Sequence, residues 1–154
     1  MRPVLDSALK LLAARSRSEA ELRRGLEKRG YASAEVEAAV ARVRELGYLD
    51  DGEVARSRAR SLLDRGASPR LAARRLEAQG VSTAQARSAV DEQAGEEGEA
   101  MWLERALARR LKGREVDGAS RQRVFRSFVQ KGFLPSAVAR ALGIPFDGDD
   151  DDDR

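Results

Sequence analysis

The residues best placed to do chemistry in this sequence are two adjacent carboxylates, Asp50 and Asp51. Paired carboxylates can hold a divalent metal ion, and a metal-dependent nuclease would need further ligands and a base beside them. No third ligand lies nearby in sequence, and the chain contains no histidine and no cysteine. Asp50 is better placed to cap a helix, with Asp51 favouring the positive N-terminus of that helix. The sequence therefore predicts a non-enzyme without catalytic residues, metal or cofactor, and a weak nuclease at this pair is the alternative.

Arginine is the other residue type that could do chemistry here, because its guanidinium binds carboxylates and phosphates in a bidentate geometry. Charged residues make up 36% of the chain. The arginines cluster on corresponding helices of a repeated unit, which predicts a basic stripe that binds a partner or DNA. Its predicted members are Arg23, Arg24, Arg29, Arg56, Arg60, Arg70, Arg74, Arg75, Arg109, Arg110, Arg123 and Arg126. The alternative is a solvated helical face supported by i,i+4 ion pairs such as Glu19–Arg23.

The charge of the chain is unevenly distributed along the sequence. The formal net charge is +3, but six aspartates lie between Asp147 and Asp153. Without residues 147–154 the body holds 28 cationic and 20 anionic residues. A basic body with an acidic tail indicates a partner that is polyanionic or carries an acidic face.

Sequence-specific reading of DNA is disfavoured by the helices that follow the glycine turns described below. A recognition helix is expected to carry Arg, Lys, Asn or Gln toward the major groove. These helices offer mainly alanine, with Glu35, Glu37, Gln85, Arg87 and Arg140 as their polar residues. Non-specific contact with phosphates through the preceding helices remains open.

One stretch of sequence, residues 18–31, occurs three times and must organise the elements that position these side chains. It recurs at residues 68–81 and 120–133, and a period near fifty residues is typical of repeat architectures. Each copy begins with a serine that can cap a helix: Ser18, Ser68 and Ser120. Each copy ends with a glycine that can take the left-handed stop conformation, followed by an apolar residue. These structural turns are Gly30, Gly80 and Gly132. Outside the repeated stretch, Gly47 is predicted to end a helix and Asp50 to cap the start of the next one.

The repeats predict an all-α fold, an elongated array of three tandem three-helix modules. We expect a first module over residues 1–49, a second over 50–95, a third over 96–144 and a disordered acidic tail over 145–154. No apolar run is long enough to cross a membrane and no signal-peptide pattern is present. The sequence therefore predicts a cytoplasmic protein without membrane contact, which we expect to be a monomer.

The chain resembles RecX, a family of bacterial regulatory proteins that modulate the RecA recombinase. The resemblance lies in Arg15-Ser-Arg-Ser-Glu-Ala-Glu-Leu-Arg-Arg-Gly-Leu26, in Glu45-Leu-Gly-Tyr-Leu-Asp-Asp51, in the stretch from Gly66 to Gly80, and in Gln130-Lys-Gly-Phe133. It extends over about residues 5–142, and Leu-Gly-Tyr-Leu-Asp-Asp is its most specific segment. The helix that bears Trp102 and the acidic tail depart from the family pattern.

The resemblance implies a helical-repeat protein that lies in the groove of a RecA–DNA filament. Such a protein would block filament extension or promote disassembly, and would restrain recombinase and coprotease activities. A non-specific DNA-binding or transcriptional regulatory protein with a basic helical surface is the alternative. The two differ in one measurable respect, because only the alternative predicts equal affinity for bare and recombinase-coated DNA.

Overall fold

A computed structural model describes residues 2–95 and 97–148, and its regular secondary structure within those ranges is helical throughout. The described helices are α1 (Arg2–Ala14), α2 (Glu19–Glu27), α3 (Ser33–Glu45), α4 (Asp51–Asp64), α5 (Pro69–Ala78), α6 (Thr83–Ala94), α7 (Glu99–Leu111), α8 (Gly118–Gln130) and α9 (Pro135–Leu142). None of them combines the length and apolar character needed to cross a membrane.

The apolar side chains of these helices form three separate cores, one for each set of three consecutive helices. The first core joins α1, α2 and α3 around Leu22, Leu26 and Val40. The second joins α4, α5 and α6 around Leu76, and the third joins α7, α8 and α9 around Phe128. The predicted all-α array of three tandem three-helix modules is confirmed. The exact module boundaries stay a prediction.

The three copies of the repeated stretch end in the same hydrogen-bonded turn. In each copy the amide after the glycine donates to a carbonyl five residues earlier: Tyr31 to Leu26, Val81 to Leu76 and Phe133 to Phe128. The glycines take positive φ values of +88°, +94° and +95° at Gly30, Gly80 and Gly132. The six apolar residues are packed in their own module's core, so each turn closes one module, as the sequence predicts.

The same turns also join consecutive modules. The Ser18 hydroxyl, fully buried, donates to the Gln79 carbonyl at 2.8 Å and accepts from the Glu21 amide, which completes the predicted capping box. The next junction uses the equivalent carbonyl with a different donor, because the backbone amide of buried Ser68 donates to the Lys131 carbonyl at 2.7 Å. A Cβ atom on Gly80 or Gly132 would overlap the preceding module's capped helix. The glycine turns at Gly80 and Gly132 are therefore also docking surfaces, each for the module that precedes it.

The third copy of the repeat differs at its start, where the predicted N-cap Ser120 is wrong. Helix α8 begins one turn earlier, and Asp117 caps it by accepting from the Ser120 amide at 2.8 Å. Ser120 lies inside the first turn, where its hydroxyl accepts from Arg123. Since Asp117 is as good a cap as serine and lies upstream, it sets the boundary.

The chain beyond α9 carries no regular secondary structure as far as Gly148. Ile144 packs on the third core, and the ring of Phe146 lies 6.1 Å from that of Phe125. The predicted disordered tail thus includes Phe146, which contacts the third module. Its remainder, residues 149–154, lies outside the described residues.

Candidate polyanion-binding groove

A groove runs across the junction of the first and second modules, and six cations line it. We call it the junction groove and define its cations as Arg15, Arg17, Arg24, Lys28, Arg58 and Arg65. It consists of two clefts of about 350 and 200 Å³ that share Arg15, Glu21 and Gln79. Among the residues that line the two clefts, Glu21 supplies the carboxylate. Such an excess of cations in a concave surface attracts a polyanion.

The junction itself holds the groove together. The Arg58 guanidinium bridges three elements, since it donates to the Ser16 carbonyl at 3.0 Å and to the Gln79 side chain at 2.8 Å and pairs with Glu21 at 2.7 Å. Arg17 is held by a hydrogen bond from its Nε to the Leu11 carbonyl at 3.0 Å. Arg58 is therefore a positioning residue whose charge Glu21 neutralises, and Arg15 pairs with the other oxygen of Glu21 at 3.4 Å.

The positive charge of the groove is compensated only in part, through the ion pairs of Glu21 with Arg15 and Arg58. Burial lowers the pKa of Arg17, and repulsion from Arg15 lowers it further. Glu21 acts in the opposite direction, but Arg29 and Arg58 add to the repulsion, and the pKa lies below its ordinary value. Arginine stays protonated in proteins, so this repulsion between cations destabilises the folded state. Within the described residues, no carboxylate lies at ion-pair distance from Arg24, Lys28 or Arg65. A bound anion would relieve this repulsion.

Glu21 shows how the groove and the fold depend on each other. Burial alone would raise the pKa of Glu21, but hydrogen bonds from the Ser18 amide and Arg58 outweigh it, so the pKa lies below its ordinary value. A carboxylate whose folded-state pKa is depressed contributes stability that is present above its unfolded pKa, about 4.3, and is lost as the pH falls.

We therefore expect Glu21→Gln to flatten the acid side of the stability profile. The wild-type free energy of unfolding should fall between about pH 5 and pH 3 by more than that of the variant, which should also be less stable at pH 7. Urea denaturation at several pH values measures this. Glu104→Gln is the matched control, since Glu104 is exposed and the described residues give it no ion pair. Parallel profiles for all three proteins would contradict the assignment.

The predicted basic stripe is distributed over several surfaces. Arg24 lines the junction groove, and Arg29 lies close enough to perturb Arg17. Arg23 instead pairs with Glu19 at 2.5 Å and Glu37 at 2.7 Å, which is the i,i+4 alternative together with a second acid. Arg56 pairs with Glu53 and Arg60 bonds Gln93.

The other predicted members lie further along the chain. Arg70 is at the second junction, where it donates to the Gly132 carbonyl at 3.3 Å and faces Glu99. The remaining members are exposed on α5, α7 and α8: Arg74, Arg75, Arg109, Arg110, Arg123 and Arg126. Of the twelve predicted members, Arg24 lines the junction groove and Arg29 lies near it. The other five cations of the groove are not members of the predicted stripe.

The carboxylate pair considered above as a metal site caps two different helices. Asp50 accepts from the Glu53 amide at 3.1 Å and so caps α4, as the sequence predicts. Asp51 accepts from the Glu19 amide at 2.8 Å, which ties α4 to the start of α2 across the junction. No group of three His, Cys, Asp or Glu side chains in the part of the chain that the structure describes could hold a metal ion. Asp51 therefore helps to hold together the junction that carries the groove.

Fold and groove together define a helical-repeat protein with a cationic interface between its first two repeats. Comparison with known proteins shows what this chain and its fold are similar to. Residues 5–42 match the model of the first three-helix domain of RecX. The fold is similar to that of the crystal structure of RecX from Lactobacillus salivarius, with a TM-score of 0.68 and 17% sequence identity over 92% of this chain and 96% of that one. The resemblance to the RecX family that the sequence predicts is thereby confirmed. No curated protein matches the sequence.

Proposed function

We propose that this protein is a negative modulator of the RecA recombinase, which binds in the groove of the RecA–DNA filament. It inhibits filament extension and, with it, the recombinase and coprotease activities that the filament supports. The observation that carries the proposal is the junction groove, in which Arg24, Lys28 and Arg65 have no carboxylate at ion-pair distance among the described residues. The resemblance to RecX supplies the identity of the polymer.

The arrangement of the modules fits a polymeric partner. A nucleoprotein filament presents the same protomer surface at regular intervals, together with some phosphate. A chain of three joined modules can contact more than one protomer at once, and each further contact then acts at a high effective concentration. Moderate contacts therefore add up to stable binding, and a chain that bridges protomers also obstructs the addition of the next one.

The groove is suited to an acidic or phosphate-bearing surface rather than to a small substrate. Its two clefts are open and shallow, and their cations stand on three elements: the α1–α2 link, α2 and α4. Arginine forks and the Lys28 ammonium can each bind one carboxylate or phosphate. In this proposal the protein acts as a monomer in the cytoplasm, without a cofactor.

The proposal is tested by titrating the protein into cognate RecA on single-stranded DNA while ATP hydrolysis is followed. We expect inhibition at or below one molecule per RecA protomer, weakening as salt is raised because the contacts are ionic. Adding the protein during filament growth should inhibit more than adding it to complete filaments if extension is the step blocked. An unchanged hydrolysis rate at low salt, with a folded protein, would overturn the proposal.

A further inference from the structure

Helix α7 carries the chain's single tryptophan, Trp102, which is not part of the junction groove. Trp102 is half-buried as a wedge between the second and third cores. Its indole N–H donates to the Ala94 carbonyl at 3.0 Å. The accessible part of the side chain lines a cleft of about 400 Å³ with Arg105, Ala108 and Arg109. The ring thus offers a stacking surface whose one donor is already used.

A second cleft lies further along the same helix and is built differently. It measures about 430 Å³ and contains the guanidinium groups of Arg110, Arg114 and Arg123, with apolar walls from Leu111, Val116 and Val124. Arg123 is bonded to the Ser120 hydroxyl, and within the described residues no carboxylate lies at ion-pair distance from any of the three arginines. This cleft therefore carries uncompensated positive charge.

The two clefts adjoin on α7, where Arg109 lines the first and Arg110 the second. Trp102 lies eight residues before Arg110, roughly 12 Å along the helix axis. From Arg109 to Arg126 the chain holds seven cations and two carboxylates, Glu115 and Asp117. Of the two arginines beside Trp102, Arg105 pairs with Glu97 at 2.6 Å, whereas Arg109 has no ion pair within the described residues. An aromatic platform beside a tract of free cations is how proteins bind single-stranded nucleic acid without reading its sequence.

We propose that the third module binds single-stranded nucleic acid along α7. One base stacks on Trp102, and neighbouring phosphates pair with Arg109 and with the arginines of the second cleft. Stacking requires an unpaired base, so a duplex lacks the group that Trp102 receives. An acidic protein segment would satisfy the arginines but would leave the aromatic cleft unused. The site shares no residue with the junction groove, so it goes beyond the proposed function and can fail without it.

Trp102 reports directly on this proposal because its fluorescence is the only tryptophan signal of the chain. Titration with a short unstructured oligothymidine at about 50 mM salt should quench it saturably, and a duplex of equal length should quench it at least about tenfold more weakly. Ala108→Glu places a carboxylate in the Trp102 cleft from an exposed position and should weaken binding by about tenfold or more. Ala100→Glu, exposed on α7 but outside the lining of the Trp102 cleft, is its control and should bind as the wild type does.

The phosphate contacts are tested through the salt dependence of the same titration. Arg110→Ala with Arg114→Ala should reduce the slope of log affinity against log salt by about 1.4, since each single-strand phosphate contact contributes about 0.7. Arg87→Ala with Arg140→Ala removes the same charge from exposed sites elsewhere and should leave the slope unchanged. Absence of quenching, equal quenching by the duplex or by a polyaspartate peptide, or equal slopes for the two double variants would each overturn the proposal.

Discussion

Gly80→Val should lower the free energy of unfolding by about 2–4 kcal/mol, a large fraction of the stability of a small helical protein. Two costs combine at this position. A β-branched residue resists the φ of +94°, and its Cβ would overlap the Cβ of Ala20 in the preceding module. Gly132→Val should behave in the same way at the second junction, where the added Cβ would meet Leu71 and Ser68.

Gly30 supplies the control, because it has nearly the same φ but has no atom within 4 Å of an added Cβ. Gly30→Val should carry the cost of backbone strain alone, about 1–2 kcal/mol. Urea denaturation of Gly30→Val, Gly80→Val and Gly132→Val measures the loss of unfolding free energy in each. The additional loss at Gly80 and Gly132, compared with Gly30, is the contribution of the contacts at the junctions. Equal losses at Gly30 and Gly80 would show that the glycine turns close individual modules without joining them.

Reversing two charges in the junction groove, Arg24→Glu with Lys28→Glu, should weaken inhibition of RecA by roughly tenfold to a hundredfold. Both side chains are exposed and line the groove, and neither has a carboxylate partner within the described residues, so the fold should be unaffected. Circular dichroism and the urea midpoint verify this. Arg23 is unsuitable for the test, because its reversal would also place a third acid against Glu19 and Glu37.

The control for this pair is Arg87→Glu with Arg140→Glu, which changes the net charge equally on α6 and α9. If charge acts through the groove, this variant inhibits as strongly as the wild type at physiological salt. If both pairs lose inhibition together, the effect comes from the net charge of the chain rather than from the groove.

The sequence predicts the local structure well because the determinants are local. Ser18, Ser68, Gly80 and Gly132 act on backbone groups within five residues, so their spacing is enough to locate helix ends. Ser120 shows the limit of this reasoning, since a competing cap at Asp117 lies just outside the repeated stretch. Two good caps in succession cannot be ranked from the repeat alone.

The site is less predictable because it depends on how modules dock. Arg23 and Arg24 are neighbours in sequence, yet one is held by two acids and the other lines the groove. Arg58 reaches the groove only because the Gly80 turn lies on Ser18. Arg15 and Arg17 lie just before the N-cap Ser18. They are a signal in the sequence, but the predicted stripe leaves them out because it is restricted to helices.

Co-sedimentation with three targets tests the central claim, that a cationic groove between repeated modules binds a recombinase filament in preference to DNA. At physiological salt the wild-type protein should sediment with RecA–DNA filaments at concentrations too low for binding to bare single-stranded or duplex DNA. Arg24→Glu with Lys28→Glu should remain in the supernatant. Sedimentation with bare DNA as effective as with filaments, or filament binding by the double variant equal to that of the wild type, would contradict the account.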